Sequence, residues 1–348
     1  MYSEQTTDFR QRDKMKRKPI VLVISSQVVS GQVGLKAILP AFRALELETV
    51  TLPTTLLAAH PAAFPEHGKP AGGALPASQM LEMVDWLLEA GALDACAAIL
   101  TGYLPSPEHV EAAAQIVTKL KTRNPDILYA LDPICGDNGR LYLPETVVDS
   151  LRQSLLPLAD IATPNLFELS QVSAMSPLAD TQQSIEAARA LGVPQVLVTS
   201  APAPEDGRIA VLQVAGEDVL RCETARAPKA PHGMGDLFSA LYLGLHLKGE
   251  PKALGVACAT LAQIASGNLE TTQLPHGPVR LAPAALPANI NLQASTLTRL
   301  LVRYFSINNS AIWTAFKAAP LRKLSETTQM ESPCSTVGSM RKRETKVS

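Results

Sequence analysis

Aromatic residues are scarce in this chain. Phe, Trp and Tyr make up 4% of its 348 residues, too few for the stacking platforms that bind single-stranded nucleic acid. Charge of one sign is missing as well. The 31 Lys and Arg residues face 32 Asp and Glu residues, for a formal net charge of −1, so no basic field invites nucleic acid as a partner. No apolar run is long and unbroken enough to cross a bilayer. The opening "MYSEQTTDFRQRDKMKRKP" is charged without an apolar core, which argues against a secretory signal. The five cysteines (Cys96, Cys135, Cys222, Cys258 and Cys334) form no C-x-x-C pair. An odd, dispersed set fits reduced thiols in a cytoplasm better than a disulfide frame or a zinc site. A G-x-x-x-x-G-K-[ST] phosphate loop and a three-glycine dinucleotide fingerprint are both absent.

Hydrophobic residues, by contrast, make up 46% of the chain, ample for one large α/β domain with tails. Residues 1–18 read as a basic, disordered arm, 19–285 as the domain, and 286–348 as an atypical, largely disordered extension in which "STLTRLLVRYF" has helical spacing. Within the domain, short β-branched runs alternate with amphipathic stretches. "IVLVIS", "ETVTLP", "ACAAILTGY", "DILYALDP", "ADIATPN" and "PQVLVTS" read as strands. "VGLKAILPAFRAL", expected to kink or break at Pro40, and "QMLEMVDWLLEAG", capped by Ser78 and stopped by Gly91, read as helices. So do "PEHVEAAAQIVTKLK", "SIEAARALG" and "ALGVACATLAQIASGN". Residues 56–77, rich in Pro, Gly and Ala, are expected to form a long loop over a site. "RIAVLQV" and "VLRCETA" flank a Gly-Glu-Asp turn and read as a hairpin.

The order predicts a doubly wound, mostly parallel sheet with helices on both faces and an antiparallel edge hairpin. Ligands of such sheets bind outside the carboxyl ends of the strands. That rule directs attention to Ser26, His60, Tyr103, Asp132, Asn165 and Thr199.

Three motifs carry chemistry. In "APHGMGDLFSALYLGLHL", Gly233, Met234 and Gly235 lead into a helix whose first free N–H groups can hold an anion. Asp236 beside them either caps that helix or takes a proton from an attacking hydroxyl. In "LDPICGDNGRLYLPE", Asp132 and Asp137 either hold a phosphate-bridging cation or simply make a turn. In "ATPNLFEL", Asn165 and Glu168 have the spacing of a capping box, and the same helix-entry face suits metal-bound water.

Taken together and in this order, the motifs resemble those of the ribokinase-like superfamily of small-molecule kinases. Further segments are similar to its pyridoxal kinase branch: "VISSQVVSGQVG" with Ser26, Val28, Gly31 and Gly34, "LTGY" with Tyr103, "DPICGD", "LYLPE", "ATPNLFE", "VLVTSAPAP" and "GMGDLFSA". The resemblance spans roughly Ile20 to Asn268. It departs from the family pattern at Ile24-Ser25 and at "AAHPAAF", which keeps only His60 and sets Phe64 one position late.

What the resemblance implies is ATP-dependent phosphorylation of the pyridoxal 5′-hydroxyl. Asp236 would be the base, with Gly233, Met234 and Gly235 as the anion hole. Ser26, His60, Tyr103 and Asp236 would bind the acceptor, and Asp132, Asp137, Tyr142, Thr199, Ser200 and Gly233 the nucleotide. Mg²⁺ would lie at Asp137, Asn165 and Glu168, with room for a monovalent cation. A cytoplasmic homodimer without nucleic-acid or membrane partners is expected. Two other readings stay open: a hydroxymethylpyrimidine or other small-molecule kinase of the same superfamily, and a non-catalytic vitamin B6 or nucleotide-binding protein.

Overall fold

The structure is a computed structural model that describes residues 18–228, 230–266 and 280–281. The arm to residue 17, "STLTRLLVRYF" and the rest of the C-terminal extension lie outside the described residues.

The expected alternation is present. In chain order the elements are β1 (Ile20–Ser30), α1 (Leu35–Ala44), β2 (Glu48–Ala59), β3 (Gly72–Ala74), α2 (Ala77–Glu89), β4 (Cys96–Thr101), α3 (Pro107–Arg123) and β5 (Leu128–Leu131). Then come β6 (Gly136–Asp137), β7 (Arg140–Leu141), α4 (Glu145–Ser150), β8 (Ile161–Ala162), α5 (Leu166–Ser173) and α6 (Thr181–Ala190). The last described elements are β9 (Gln195–Ala201), β10 (Arg208–Ala215), β11 (Asp218–Ala225), α7 (Met234–Leu247), α8 (Ala253–Ser266) and β12 (Arg280–Leu281).

The main sheet runs β12-β11-β10-β9-β8-β5-β4-β1-β2-β3. Its centre, from β9 to β2, is parallel, and β9 through β12 pair antiparallel at one edge. The hairpin turns at Gly216-Glu217, with Ala215 opposite Asp218, as the sequence anticipates.

Alternation along the central strands divides two cores. Leu22 and Ile24 of β1 face the core built with α2 to α6, whereas Val21 and Val23 face the core built with α1, α7 and α8. Ile99 and Leu100 of β4 divide in the same way, as do Tyr129 and Ala130 of β5. This is why the strands read as continuous apolar runs: both faces are covered by helices.

Four local expectations are corrected. First, β1 does not stop at Ser25. It continues to Ser30 beside β2, with a register break between Ser25 and Gln27, so Ser26 sits at a bulge inside a strand. Bulges commonly re-aim a side chain at an active site. Second, α1 is continuous through Pro40. Proline forfeits one ladder bond, to the Lys36 carbonyl, and burial of Ile38, Pro40, Ala41 and Phe42 offsets it. Third, α2 begins at Ala77 with Pro76 at the cap position and no side-chain cap, so Ser78 lies inside the helix; Gly91 does follow its end with φ 71°. Fourth, residues 56–77 are not all loop. β2 runs to Ala59 and β3 returns antiparallel, Thr55 opposite Ala74.

The strand order places β1 between β2 and β4, and the chain reverses its winding there. The crevice at the carboxyl ends of β1 and β4 is thus the switch point at which sheets of this kind bind ligands.

Candidate active site

Residues converge on that crevice from both sides. The Gly102 N–H donates to the Ile24 carbonyl at 2.9 Å, and the Tyr103 N–H to Ser25 Oγ at 3.3 Å. Thr54 Oγ1 of β2 donates to the Tyr103 carbonyl at 2.8 Å. Tyr103 is partly buried here, and burial lifts its phenol pKa.

Gly233 opens α7 with φ 85°, a backbone conformation that glycine adopts without cost. A Cβ on it would collide with the Gln32 carbonyl oxygen. The turn before α7 therefore packs directly on the loop before α1. Asp236, in the first turn of α7, is buried. Its Oδ2 accepts from the Gly34 N–H at 3.0 Å, while its Oδ1 is buried with no hydrogen-bond partner. Burial raises its carboxyl to about 6, and the Gly34 bond pulls the other way.

Asp132 follows β5 and is also buried. Burial first, and the Asp236 charge second, push its pKa up to about 8. The Ser239 Oγ–H, one turn along α7 from Asp236, donates to Asp132 Oδ2 at 2.9 Å. Glu168 is raised well above the ordinary carboxylate range, by burial and then by Asp132. Asp236, Asp132 and Glu168 thus form a row of acids in electrostatic contact.

Asn165 and Glu168 make the capping box that their spacing announces. The Glu168 N–H donates to Asn165 Oδ1 and the Asn165 N–H to Glu168 Oε2, both at 2.8 Å. The box also has a reach beyond its own helix. The Cys135 N–H donates to Glu168 Oε1 at 3.3 Å, and Asn165 Nδ2 donates to the Gly136 carbonyl at 2.9 Å. Helix α5 thereby fixes the loop that carries Asp132 and Asp137.

Asp137 itself lies in the small β6–β7 hairpin, its two oxygens accepting from the backbone and side chain of Asn138. Tyr142 beyond it is 57% exposed. Thr199 bridges Asn165, its N–H donating to the Pro164 carbonyl at 2.9 Å. Ser200 follows with φ 58°, rare for a side-chain-bearing residue. Both lie inside β9, which runs to Ala201, rather than just past its end.

His60 follows β2 directly and stands against His232, ring centroids 4.6 Å apart. Its Nδ1 accepts from the Ala62 N–H, and burial, then His232, lower its pKa. Phe64 is 48% exposed and lies near His67. Cys135 is buried, its thiol pushed up by burial and then by Glu168 and Asp132, which makes it inert.

Reading the sequence missed Thr163, His232 and Ser239, and it named Gly34 only as part of the resemblance, without its bond to Asp236. Ser239 had a visible signal, since it lies three residues past Asp236 in the same helical run. Thr163 had none, and the partner of Gly34 could not be read, because the residues they bond lie 76 and 202 positions away.

The sheet order and this switch-point crevice, with a buried carboxylate that has one bare oxygen, are those of a phosphotransferase of ribokinase-like fold. The chain belongs to the phosphomethylpyrimidine kinase family, whose profile matches residues 30–279, and its curated relatives place it with the pyridoxal kinases. It is 34% identical over 250 residues to a pyridoxine/pyridoxal/pyridoxamine kinase of Bordetella bronchiseptica, covering 70% of this chain and 87% of that one. The fold matches pyridoxal kinase of Entamoeba histolytica with a TM-score of 0.66 at 28% identity, over 72% of this chain and 89% of that one. It matches pyridoxal kinase of Leishmania donovani, solved with ADP and pyridoxamine, with a TM-score of 0.64 at 28% identity, over 70% and 84% of the two chains.

Proposed function

We propose that this enzyme transfers the γ-phosphoryl group of ATP to the 5′-hydroxyl of pyridoxal, with pyridoxine and pyridoxamine as related acceptors. The observation that carries this is Asp236: buried in the first turn of α7, one oxygen held and the other bare. The acceptor hydroxyl gives its proton to Oδ1 as its oxygen bonds to the γ-phosphorus and the bond to the β-phosphate oxygen breaks. The N–H groups at Gly233, Met234 and Gly235 stabilise the charge spreading over the transferred group. Ser26, His60 and Tyr103 hold the acceptor. Asp132, Asp137, Tyr142, Thr199, Ser200 and Gly233 border the nucleotide. Catalysis is positioning plus electrostatics.

Mg²⁺ fits the donor set as the nucleotide's companion. Among the described residues no group of three His, Cys, Asp or Glu is gathered to hold a metal by itself. The acid row of Asp236, Asp132 and Glu168 nevertheless favours a cation nearby. Asp137, Asn165 and Glu168 would hold it, largely through water, and it would neutralise phosphate charge during transfer. A monovalent cation fits the same electrostatics.

Among the described residues no helix is long and apolar enough to cross a membrane. The reading carries a cytoplasmic homodimer with it; sedimentation of the purified chain tests the dimer, and fractionation of cells tests the location.

The deciding experiment offers ATP with pyridoxal, pyridoxine, pyridoxamine and hydroxymethylpyrimidine in turn, with Asp236→Asn as control and chelation of Mg²⁺ as a further arm. Phosphorylation of the three vitamers is expected. Asp236→Asn should lower turnover on the order of 10²–10⁴-fold while nucleotide still binds. The matching family profile makes hydroxymethylpyrimidine the second acceptor class. Its preferential turnover would replace the proposal, and binding without ATP consumption would make the chain a non-catalytic binder.

A further inference from the structure

We propose that Gly34 is a positioning residue for the base: its backbone N–H fixes Asp236 Oδ2, so that Oδ1 alone is presented to the acceptor hydroxyl. The inference rests on Asp236 being the base.

The bond joins residues 202 positions apart and is buried, at 3.0 Å. The other carboxylate oxygen is buried and unpartnered, so the two oxygens are not equivalent. One is spent on structure and the other is available for chemistry.

The donor is fixed from several directions. Gly34 is the cap residue of α1, with φ 57° and ψ −134°, a combination that glycine alone adopts without strain. Its own carbonyl accepts from the Ala37 and Ile38 N–H groups at 2.9 and 3.0 Å, which seats it on the helix. A Cβ at Gly34 would collide with the backbone oxygen and Oγ of Ser26. The neighbouring Gln32 carbonyl lies so close to Gly233 that no Cβ fits there either. Thus one loop touches the acceptor-side serine, the anion-hole turn and the base. Two helix N-termini meet at Asp236: its own, and that of α1 through Gly34.

This gives the second glycine of Gly31-x-x-Gly34 a chemical duty. The sequence offered it only as part of the resemblance to the pyridoxal kinase branch. A donated N–H also favours the ionised carboxylate, countering the burial that lifts Asp236. The acids it faces are Asp132 at the end of β5 and, behind it, Glu168 on α5.

Gly34→Ala brings both the collision and the strained φ, and a fold defect would follow. The decisive variant replaces Gly34 by glycolic acid in the full chain, through nonsense suppression. It exchanges the N–H for an ester oxygen and adds no Cβ. The kcat is expected to fall about 10-fold or more, with KM for ATP and pyridoxal changed about twofold at most. The acid limb of kcat should move to higher pH. Glycolic acid at Gly31, an ester in the same loop, should leave both unchanged. An equal loss at Gly31, or an unchanged kcat and acid limb at Gly34 while Asp236→Asn is inactive, would overturn the proposal. An active Asp236→Asn would instead remove the base assignment itself.

Discussion

Ser239 Oγ lies 2.9 Å from Asp132 Oδ2 and joins the second turn of α7 to the end of β5. The same hydroxyl is 2.8 Å from Thr163 Oγ1 and 3.1 Å from the Gly235 carbonyl. Ser239 is 2% exposed, so water cannot substitute for it. Ser239→Ala therefore leaves a buried acid oxygen and a buried hydroxyl short of a partner, which costs about 1–3 kcal/mol. Urea unfolding should show the loss, with turnover falling alongside because Asp132 and the first turn of α7 lose their common tie. An unchanged midpoint would mean that the chain from Thr163 through Ser239 to Asp132 contributes nothing.

The raised acid at Asp132 has a consequence for pH. Its carboxyl moves from 3.8 to about 8 in the folded protein. The fold therefore retains a proton that the unfolded chain gives up, and this contribution to stability is complete below about pH 4. It is lost as pH rises through about 8. Asp132→Asn keeps an acceptor for Ser239 and never ionises. Its melting temperature should match the parent near pH 4 and exceed it increasingly toward pH 8, by about 2–4 °C for each kcal/mol relieved. A difference that stays flat with pH, or reverses sign, contradicts the burial of an ionisable Asp132.

The fold was legible because both faces of the sheet are buried. Runs such as Ile20 to Ser25 had no reading other than a central strand, and the hairpin turn at Gly216-Glu217 was equally plain. Local punctuation misled where tertiary packing overrode it. Pro40 passes inside α1, and Gly72-Gly73-Ala74 forms an edge strand with almost no side chain to announce it. Motif order pointed to Asp236, Asp132, Asn165 and Glu168, which the structure brings together. It could not reveal what these residues touch. The Gly34 bond is made by a backbone N–H, which no side-chain pattern encodes, and the His60–His232 contact joins two loops that are remote in sequence.

Glu168 separates a structural role from a metal-linked one. Its carboxylate accepts from the Asn165 and Cys135 N–H groups, while burial and then Asp132 raise its pKa. Glu168→Gln keeps one acceptor oxygen and removes the charge, so stability should drop by only about 1 kcal/mol, the scale of a weakened cap. If Glu168 orients Mg²⁺-bound water, the Mg²⁺ concentration for half-maximal turnover should rise about 10-fold or more. Titrating Mg²⁺ at saturating ATP, beside a thermal melt, reads both. A normal Mg²⁺ response with a lowered melt would leave Glu168 as a capping residue alone.

The two glycines that flank Met234 should fail in opposite ways. Gly233 has φ 85°, and a Cβ there meets the Gln32 carbonyl. Gly233→Ala should cost about 1–2 kcal/mol from the left-handed backbone alone, with more from the collision, so stability and turnover fall together. Gly235 lies inside α7, and a Cβ there meets nothing within 4 Å. Alanine at a helical position is favoured over glycine by about 1 kcal/mol, so Gly235→Ala should melt at or above the parent temperature. If that open space is where the γ-phosphoryl group arrives, its turnover should nonetheless collapse, because the added methyl stands between the backbone donors and their anion. A stable and fully active Gly235→Ala would show that the phosphoryl group passes elsewhere.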